Sequence, residues 1–324
     1  MAEASLESRT GATGARTNIG LLQRVEWVRG YLLMSPTIVL MLAMLIAPLV
    51  ALALLSFWTQ NGYEIDRTFT PANYWQLIQP SSKTTWWFGL PFPLETPGYG
   101  IVLVKSLLIS LVSTVAVILV AYPMAYFLAF RVVRHKMLWL IMITIPFWTS
   151  YLLRVFAWKI ILGYGGVINT ALVKLGLIDK PLEFLLYNPV AVVITLTHAW
   201  AAYAIFPIYV SLEKIDRSLL EAATDLGERP LARFIRVTLP LSAPGLIATA
   251  LMVFIPTVGD YVTPSLVGGT GGTMIGNTIQ SLFGSQNNAP LGAAFSIAMM
   301  AIVTAFVCLF LWAIGYRKIR AREA

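Results

Sequence analysis

The sequence predicts an all-α membrane protein with six transmembrane helices. Three observations predict it. Of 324 residues, 58% are hydrophobic and only 12% charged, with a mean hydropathy of +0.75. Soluble domains carry about 25% charged residues, so this chain has the composition of a protein dissolved in lipid. Six separate stretches also reach the roughly 20 mainly apolar residues that a spanning helix needs. Finally, the basic residues gather in every second connection.

In chain order, the first span is Tyr31–Phe57, which carries no charge. The second, Ile101–Phe130, includes Lys105, and the third, Met137–Leu162, includes Arg154 and Lys159. Val190–Leu212, Leu239–Val262 and Gly292–Tyr316 complete the set. Pro123, Pro146, Pro207 and Pro256 fall inside spans. Each removes a backbone hydrogen bond and kinks its helix, which is tolerated where neighbours satisfy the freed carbonyl. Residues 1–30 form a polar N-terminal tail, partly disordered. Residues 31–316 form the six-helix domain and residues 317–324 a basic C-terminal tail.

Sixteen of the 23 Lys and Arg residues lie on one side of this pattern. They are Arg9, Arg16, Arg24 and Arg29 before the first span; Arg131, Arg134 and Lys136 between the second and third; Lys214, Arg217, Arg229, Arg233 and Arg236 between the fourth and fifth; and Arg317, Lys318, Arg320 and Arg322 after the sixth. The opposite connections hold only Arg67, Lys83, Lys174 and Lys180. Positive charge stays cytoplasmic, so both termini and the fourth–fifth connection are expected there. Lys105 and Lys159 then fall near outer helix ends, where snorkelling to the headgroups is the expected role.

Other classes are disfavoured. The basic residues flank apolar runs instead of forming one nucleic-acid patch. The single Cys308 forms no intrachain disulfide, and the first thirty residues lack an apolar core with a small-residue cleavage site. His135 and His198 stand without a second metal ligand at suitable spacing. "VGGTGGT", Val267 to Thr273, lacks the lysine of a phosphate-binding loop, so ATP is expected to be handled by another chain.

The fourth–fifth connection is the most informative stretch. In "SLEKIDRSLLEAATDLGERPLARFIRVTLP", Leu219, Leu220, Ala223 and Leu226 follow helical spacing, and Ser218 with Glu221 reads as a capping box. Gly227 suits the left-handed residue that ends a helix, and Pro230 the first turn of the next. Leu231, Phe234 and Ile235 give that second helix an apolar stripe, and Pro240 opens the fifth span. The expectation is two short helices hinged at Gly227, residues 213–238, whose stripe is covered by something.

Glu221-Ala222-Ala223, three residues, Gly227, nine residues, Val237, one residue, Leu239-Pro240 resembles the EAA signature of ABC-importer permeases. The family pattern usually has isoleucine at the position of Val237. The resemblance implies the type I ABC-importer permease fold, with this loop docking as a coupling helix on a separate ATPase subunit. Gly227 would shape the turn, Ala222 and Ala223 would permit close approach, and Glu221 would contact the ATPase or simply complete the cap. Further segments resemble the first permease subunit of the spermidine/putrescine systems: "IPFWTSYLLRVFAW" (Ile145–Trp158), "GGVINTAL" (Gly165–Leu172), "VSLEKIDRSLLEAATDLG" (Val210–Gly227), "FIPTVGDYVTPSLVGG" (Phe254–Gly269) and "MIGNTIQSLF" (Met274–Phe283). The resemblance implies an ATP-binding subunit dimer, a second permease forming a heterodimer, a periplasmic substrate-binding protein, and ATP and magnesium on the partner alone, in a bacterial inner membrane.

A polyamine would be held by carboxylates and aromatic faces. Asp260, the one carboxylate placed inside a span, is the leading substrate-path candidate, with Tyr261 beside it and Trp148, Tyr151 and Arg154 on the third span. Asp260 capping a helix end or pairing with Arg154 is the competing reading. Arg154 would repel a cation unless paired, and relatives of this framework also move opines, amino acid derivatives and phosphonates. Tyr74, Trp75, Trp86 and Trp87 read as an interfacial belt or as a landing site for the binding protein. An ion-coupled secondary transporter would want inverted repeats and mid-span acids, a membrane enzyme clustered acids, histidines and nucleophiles. The sequence offers neither.

Overall fold

The computed structural model describes residues 15–79, 85–87, 90–92 and 98–323, with side chains over 30–79 and 98–315. Lys83 and the side chains of Trp86 and Trp87 lie outside the described residues, as do residues 1–14 of the expected tail. The chain divides into two compact units, Met1–Leu55 and Ser56–Ala324.

The first unit is a single helix, α1 (Ala15–Leu55), of 41 residues. At about 1.5 Å per residue it is roughly 60 Å long, about twice the hydrocarbon core, so its basic first half extends a span confined to Gly30–Leu55.

The second unit opens with a hairpin of β1 (Thr59–Asn61) and β2 (Glu64–Asp66) and a short helix α2 (Ala72–Ile78). Tyr74 belongs to this small assembly: its hydroxyl lies 2.7 Å from Ser56 Oγ and its ring 5.4 Å from that of Phe57. A second hairpin joins β3 (Thr85–Trp87) and β4 (Leu90–Phe92). The helices follow: α3 (Gly98–Phe130), α4 (Lys136–Thr144), α5 (Tyr151–Leu162), α6 (Val167–Lys174), α7 (Pro189–Glu213), α8 (Arg217–Asp225), α9 (Pro230–Arg233), α10 (Leu239–Val258), α11 (Ile275–Phe283) and α12 (Ala289–Glu323). Among the described residues, six helical runs are long and apolar enough to cross a membrane.

The core is built on α3, α7 and α10. Ala121, Ala125 and Ala129, spaced by four on α3, are fully or almost fully buried against Ala204, Ile205 and Ile208 of α7. In lipid, helices associate through such close packing of small residues, because the hydrophobic effect offers little between apolar surfaces.

Three expectations change. The third span is not one helix from Met137 to Leu162. Helix α4 continues into a 3-10 turn (Ile145–Trp148), and the chain is extended at Thr149 and Ser150, with ψ of 148° and 135°, before α5 begins. Pro146 has no N–H to give, and Thr149 takes the Pro146 carbonyl with its own hydroxyl at 2.6 Å. The span is instead Tyr151–Lys174, α5 with α6, preceded by the shorter apolar run Lys136–Trp148. Next, α10 ends at Val258, so Asp260 lies beyond a helix end and not inside a span. Finally, Lys105 is only 6% exposed and faces protein, so it does not snorkel.

Candidate functional site

The 213–238 connection folds as a helix, a left-handed glycine and a second helix. Asp216 caps α8, its carboxylate accepting from the Ser218 N–H at 2.9 Å. The cap is therefore Asp216 and not the Ser218–Glu221 box, because Asp216 is the residue with extended backbone just outside the helix. The Ser218 amide and hydroxyl hold the Asp216 carboxyl below its ordinary value. At the other end Gly227 has φ +84°, with its N–H on the Thr224 carbonyl at 2.9 Å and the Glu228 N–H on Ala223 at 3.1 Å. These two bonds make a Schellman stop. Pro230 opens α9 as expected.

The second helix does not end before the fifth span. Phe234–Thr238 form a π-helical turn that runs directly into α10, with the Leu239 N–H bonded to the Phe234 carbonyl five residues back. The wide turn spares Pro240 a helical N–H it does not have. The loop and the fifth span are thus one rod from Pro230 to Val258.

The apolar stripe splits. Ala223 is buried, and Leu220, Phe234 and Leu239 pack on the core. Leu226 and Leu231, flanking the glycine turn, stand 85% and 70% exposed, and Leu219 and Ile235 are also exposed. Glu221, Ala222 and Pro240 are exposed and Val237 is half-buried. Arg236 pairs with Glu228 at 2.5 Å, and Arg233 Nη1 donates to Thr224 Oγ1 at 2.5 Å, bracing the turn.

The second cluster joins α5 to the segment after α10. Asp260 Oδ1 accepts from the Val262 N–H at 2.9 Å and the Thr263 N–H at 3.5 Å, starting the next helical turn. Its Oδ2 accepts from the Tyr151 hydroxyl, which also lies 2.6 Å from Thr263 Oγ1. Gly276 brings α11 against this turn: a Cβ there would meet the carbonyl oxygens of Gly259 and Asp260 at 2.7 and 2.8 Å. Among the described residues no ion pair joins Asp260 to Arg154. The Arg154 guanidinium sits 5.7 Å from the Phe147 ring centroid and 5.8 Å from that of Tyr151, with Nη1 donating to the Ala199 carbonyl at 2.8 Å.

A cavity of about 1050 Å³ approaches this cluster, running from Phe147 and Tyr203 past Pro207 and Met252 to Lys214 and Leu219. Its walls are mainly α7 and α10. Phe147 and Tyr203 meet edge-to-face at its end, with centroids 3.9 Å apart.

Of the sequence candidates, Asp260, Tyr151 and Arg154 come together. Trp148 is 87% exposed and makes none of the cluster's hydrogen bonds. Tyr261 contributes its carbonyl, which accepts from Asn277 Nδ2 at 2.9 Å, while its ring is exposed. Thr263, Phe147, Tyr203 and the Ala199 carbonyl were missed. Thr263 was legible as the third residue after a capping Asp; the aromatics look like any span residue.

Residues 103–321 match the family of binding-protein-dependent transport system inner membrane components. The chain is 36% identical over 258 residues to the spermidine/putrescine transport system permease protein PotB of Escherichia coli, covering 79% of this chain and 87% of that one. It is 36% identical over 217 residues to the protein of that name from Haemophilus influenzae, covering 67% and 76%. With the inner membrane ABC transporter permease protein YdcU of Escherichia coli it shares 33% over 220 residues, covering 64% and 70%. A crystal structure of a bacterial alginate ABC transporter in complex with an alginate pentasaccharide-bound periplasmic protein shares the fold, at TM-score 0.64 and 17% identity over 89% of this chain and 93% of that one. The six apolar runs are therefore the helices of a type I permease in the inner membrane, and the chain belongs to the family of binding-protein-dependent transport system inner membrane components, as an ABC-importer permease.

Proposed function

We propose that this permease carries a polyamine, putrescine or spermidine, across the inner membrane, driven by ATP hydrolysis on a separate subunit. The observation that carries the reading is the 36% identity to a spermidine/putrescine permease over 79% of this chain and 87% of that protein. ATP and magnesium are bound by the partner ATPase dimer, which docks at the turn displaying Leu226 and Leu231; two exposed leucines either side of a rigid glycine stop fit an apolar groove. Glu221, Ala222, Ala223, Gly227, Val237, Leu239 and Pro240 form the coupling element. The basic connections keep this loop and both termini cytoplasmic. A second permease completes the pore as a heterodimer, and a periplasmic binding protein delivers the solute. Asp260, Tyr151 and Arg154 mark the path, with Trp148 and Tyr261 at its edge.

A second reading keeps the machine and changes the cargo to an opine, another amino acid derivative or a phosphonate. It is favoured by the Asp260 carboxylate being already engaged on both oxygens and by Arg154 beside it. Uptake of labelled putrescine and spermidine decides between them, in cells expressing this chain with its ATPase, second permease and binding protein, beside a Gly227→Pro variant. ATP-dependent polyamine uptake lost in the variant supports both substrate and coupling loop. Uptake of another amino-derived solute, equally lost in the variant, removes the polyamine alone. Undiminished transport by an assembled variant removes the coupling role.

A further inference from the structure

Arg154 is a half-buried cation with an unusual set of partners. Its charge is met by no carboxylate within 4.0 Å among the described residues. Of its five N–H donors, Nη1 reaches the Ala199 carbonyl, while Nε is buried without a partner. The remaining favourable contacts are the rings of Phe147 and Tyr151, at 5.7 and 5.8 Å, within the range of about 6 Å for cation–π attraction. The nearest acid in this network, Asp260, is reached only through the Tyr151 hydroxyl. A guanidinium chosen for structure alone would be bonded on both edges, as its planar fork allows. This one is held by two ring faces and one carbonyl.

Those partners are what an alkylammonium wants: aromatic faces, a carbonyl oxygen, and a carboxylate close by. They also border open space, because Phe147 lines the end of the cavity with Tyr203. We infer that Phe147 and Tyr151 form a cation seat, filled in this conformation by the chain's own Arg154 and taken by an ammonium group of the transported solute when Arg154 leaves. Arg154 is then a tethered competitor. It sets how tightly a cation is held, and its unpaired Nε leaves it free to be displaced. The inference rests on the polyamine reading and adds a specificity-determining residue to it.

The test is equilibrium binding of labelled spermidine to the purified complex of both permeases and the ATPase, without binding protein, so that affinity reports this chain's site. Arg154→Gln empties the seat and is expected to tighten binding about tenfold, the scale of one desolvated cation–π site. Methylguanidinium, a free copy of the displaced group, then competes with spermidine in Arg154→Gln and not in the wild type. Arg154→Lys refills the seat and restores the wild-type affinity. Unchanged or weaker spermidine binding by assembled Arg154→Gln, with no competition by methylguanidinium, overturns the inference. If Arg154→Gln does not assemble, Phe147→Leu decides: loss of the ring weakens binding several-fold if the seat exists, and unchanged affinity overturns it. A wild-type importer that takes up no polyamine overturns the substrate reading and the inference together. Polyamine uptake with the Arg154→Gln result negative overturns the inference alone.

Discussion

The ring of Tyr122, buried in the C-terminal third of α3, meets the ring of Phe234 edge-on with centroids 5.6 Å apart, and the Tyr122 hydroxyl lies 2.9 Å from Ser242 Oγ on α10. Phe234 is the first residue of the π turn and also touches Tyr126 at 6.2 Å. Phe234, with Leu220 and Leu239, thus ties the 213–238 connection to the α3 core, at the place where the helix backbone is widest.

Phe234→Leu keeps apolar volume and removes both ring pairs. Edge-to-face pairs contribute about 0.5–1.5 kcal/mol beyond their buried area, so stability is expected to fall by roughly 1–2 kcal/mol, read as a lower unfolding temperature in detergent. The more telling outcome is uncoupling: ATP hydrolysed per solute carried should rise. An unchanged ratio in an assembled importer would show that force enters α3 elsewhere.

Gly227→Ala isolates backbone strain. Nothing lies within 4 Å of a Cβ built at Gly227, so the substitution clashes with nothing and acts only through φ +84°. Holding alanine in the left-handed region costs about 1–2 kcal/mol, which the Schellman bonds to Thr224 and Ala223 must absorb. Uptake should fall, and Gly227→Asn should lose less, because asparagine tolerates that region.

What was legible in the sequence was local. The turn at Gly227 could be read because a positive φ demands glycine there and the first helical turn accepts Pro230, whatever lies around them. The spans could be read because lipid requires apolar length. The break at Thr149–Ser150 could not, since Pro146 in a membrane helix yields either a kink or a stop according to which neighbours satisfy the freed groups. Helix α11 lies in the fifth–sixth connection, for which the sequence pattern set no helix, although Ile275 and Leu282 bury against Phe295 of α12 and Leu103 of α3. The seat around Arg154 is tertiary: Phe147 and Ala199 lie far apart in sequence, and neither residue type announces a site.

The cap of α8 gives the loop a pH dependence of known sign. The folded Asp216 carboxyl titrates below its unfolded value because the Ser218 amide, then the Ser218 hydroxyl, hydrogen-bonds the charged form. The stabilisation is fully present above the ordinary carboxylate pKa and is lost as pH falls through the lower folded value. Protection of the amides in the first turn of α8, measured against their intrinsic exchange rate at each pH, should therefore fall on acidification. Asp216→Asn keeps an acceptor oxygen and should abolish the dependence, while Asp216→Ala should show low protection at every pH.

Leu226→Asp with Leu231→Asp tests docking without touching the fold. Both side chains are exposed, so the permease alone should change by no more than about 0.5 kcal/mol. Association with the ATPase should be lost, seen as failure to co-purify. Co-purification at wild-type yield would mean that the leucines face no partner.

Tyr151→Phe removes a hydroxyl and keeps the ring beneath Arg154. In the wild type that hydroxyl occupies Asp260 Oδ2 and lies 2.6 Å from Thr263 Oγ1, fastening α5 to the turn after α10. A hydrogen bond to a charged acceptor contributes about 1.5–3 kcal/mol, so the variant should unfold at lower temperature. Its effect on a cation should run the other way: Asp260 keeps the Val262 amide on Oδ1, but Oδ2 becomes free to meet an ammonium group. Spermidine binding by the purified complex is thus expected to tighten in Tyr151→Phe and to weaken in Asp260→Asn, which retains hydrogen-bonding shape and loses charge. Unchanged spermidine binding in both variants would make Asp260 a helix cap alone, with no part in holding the solute.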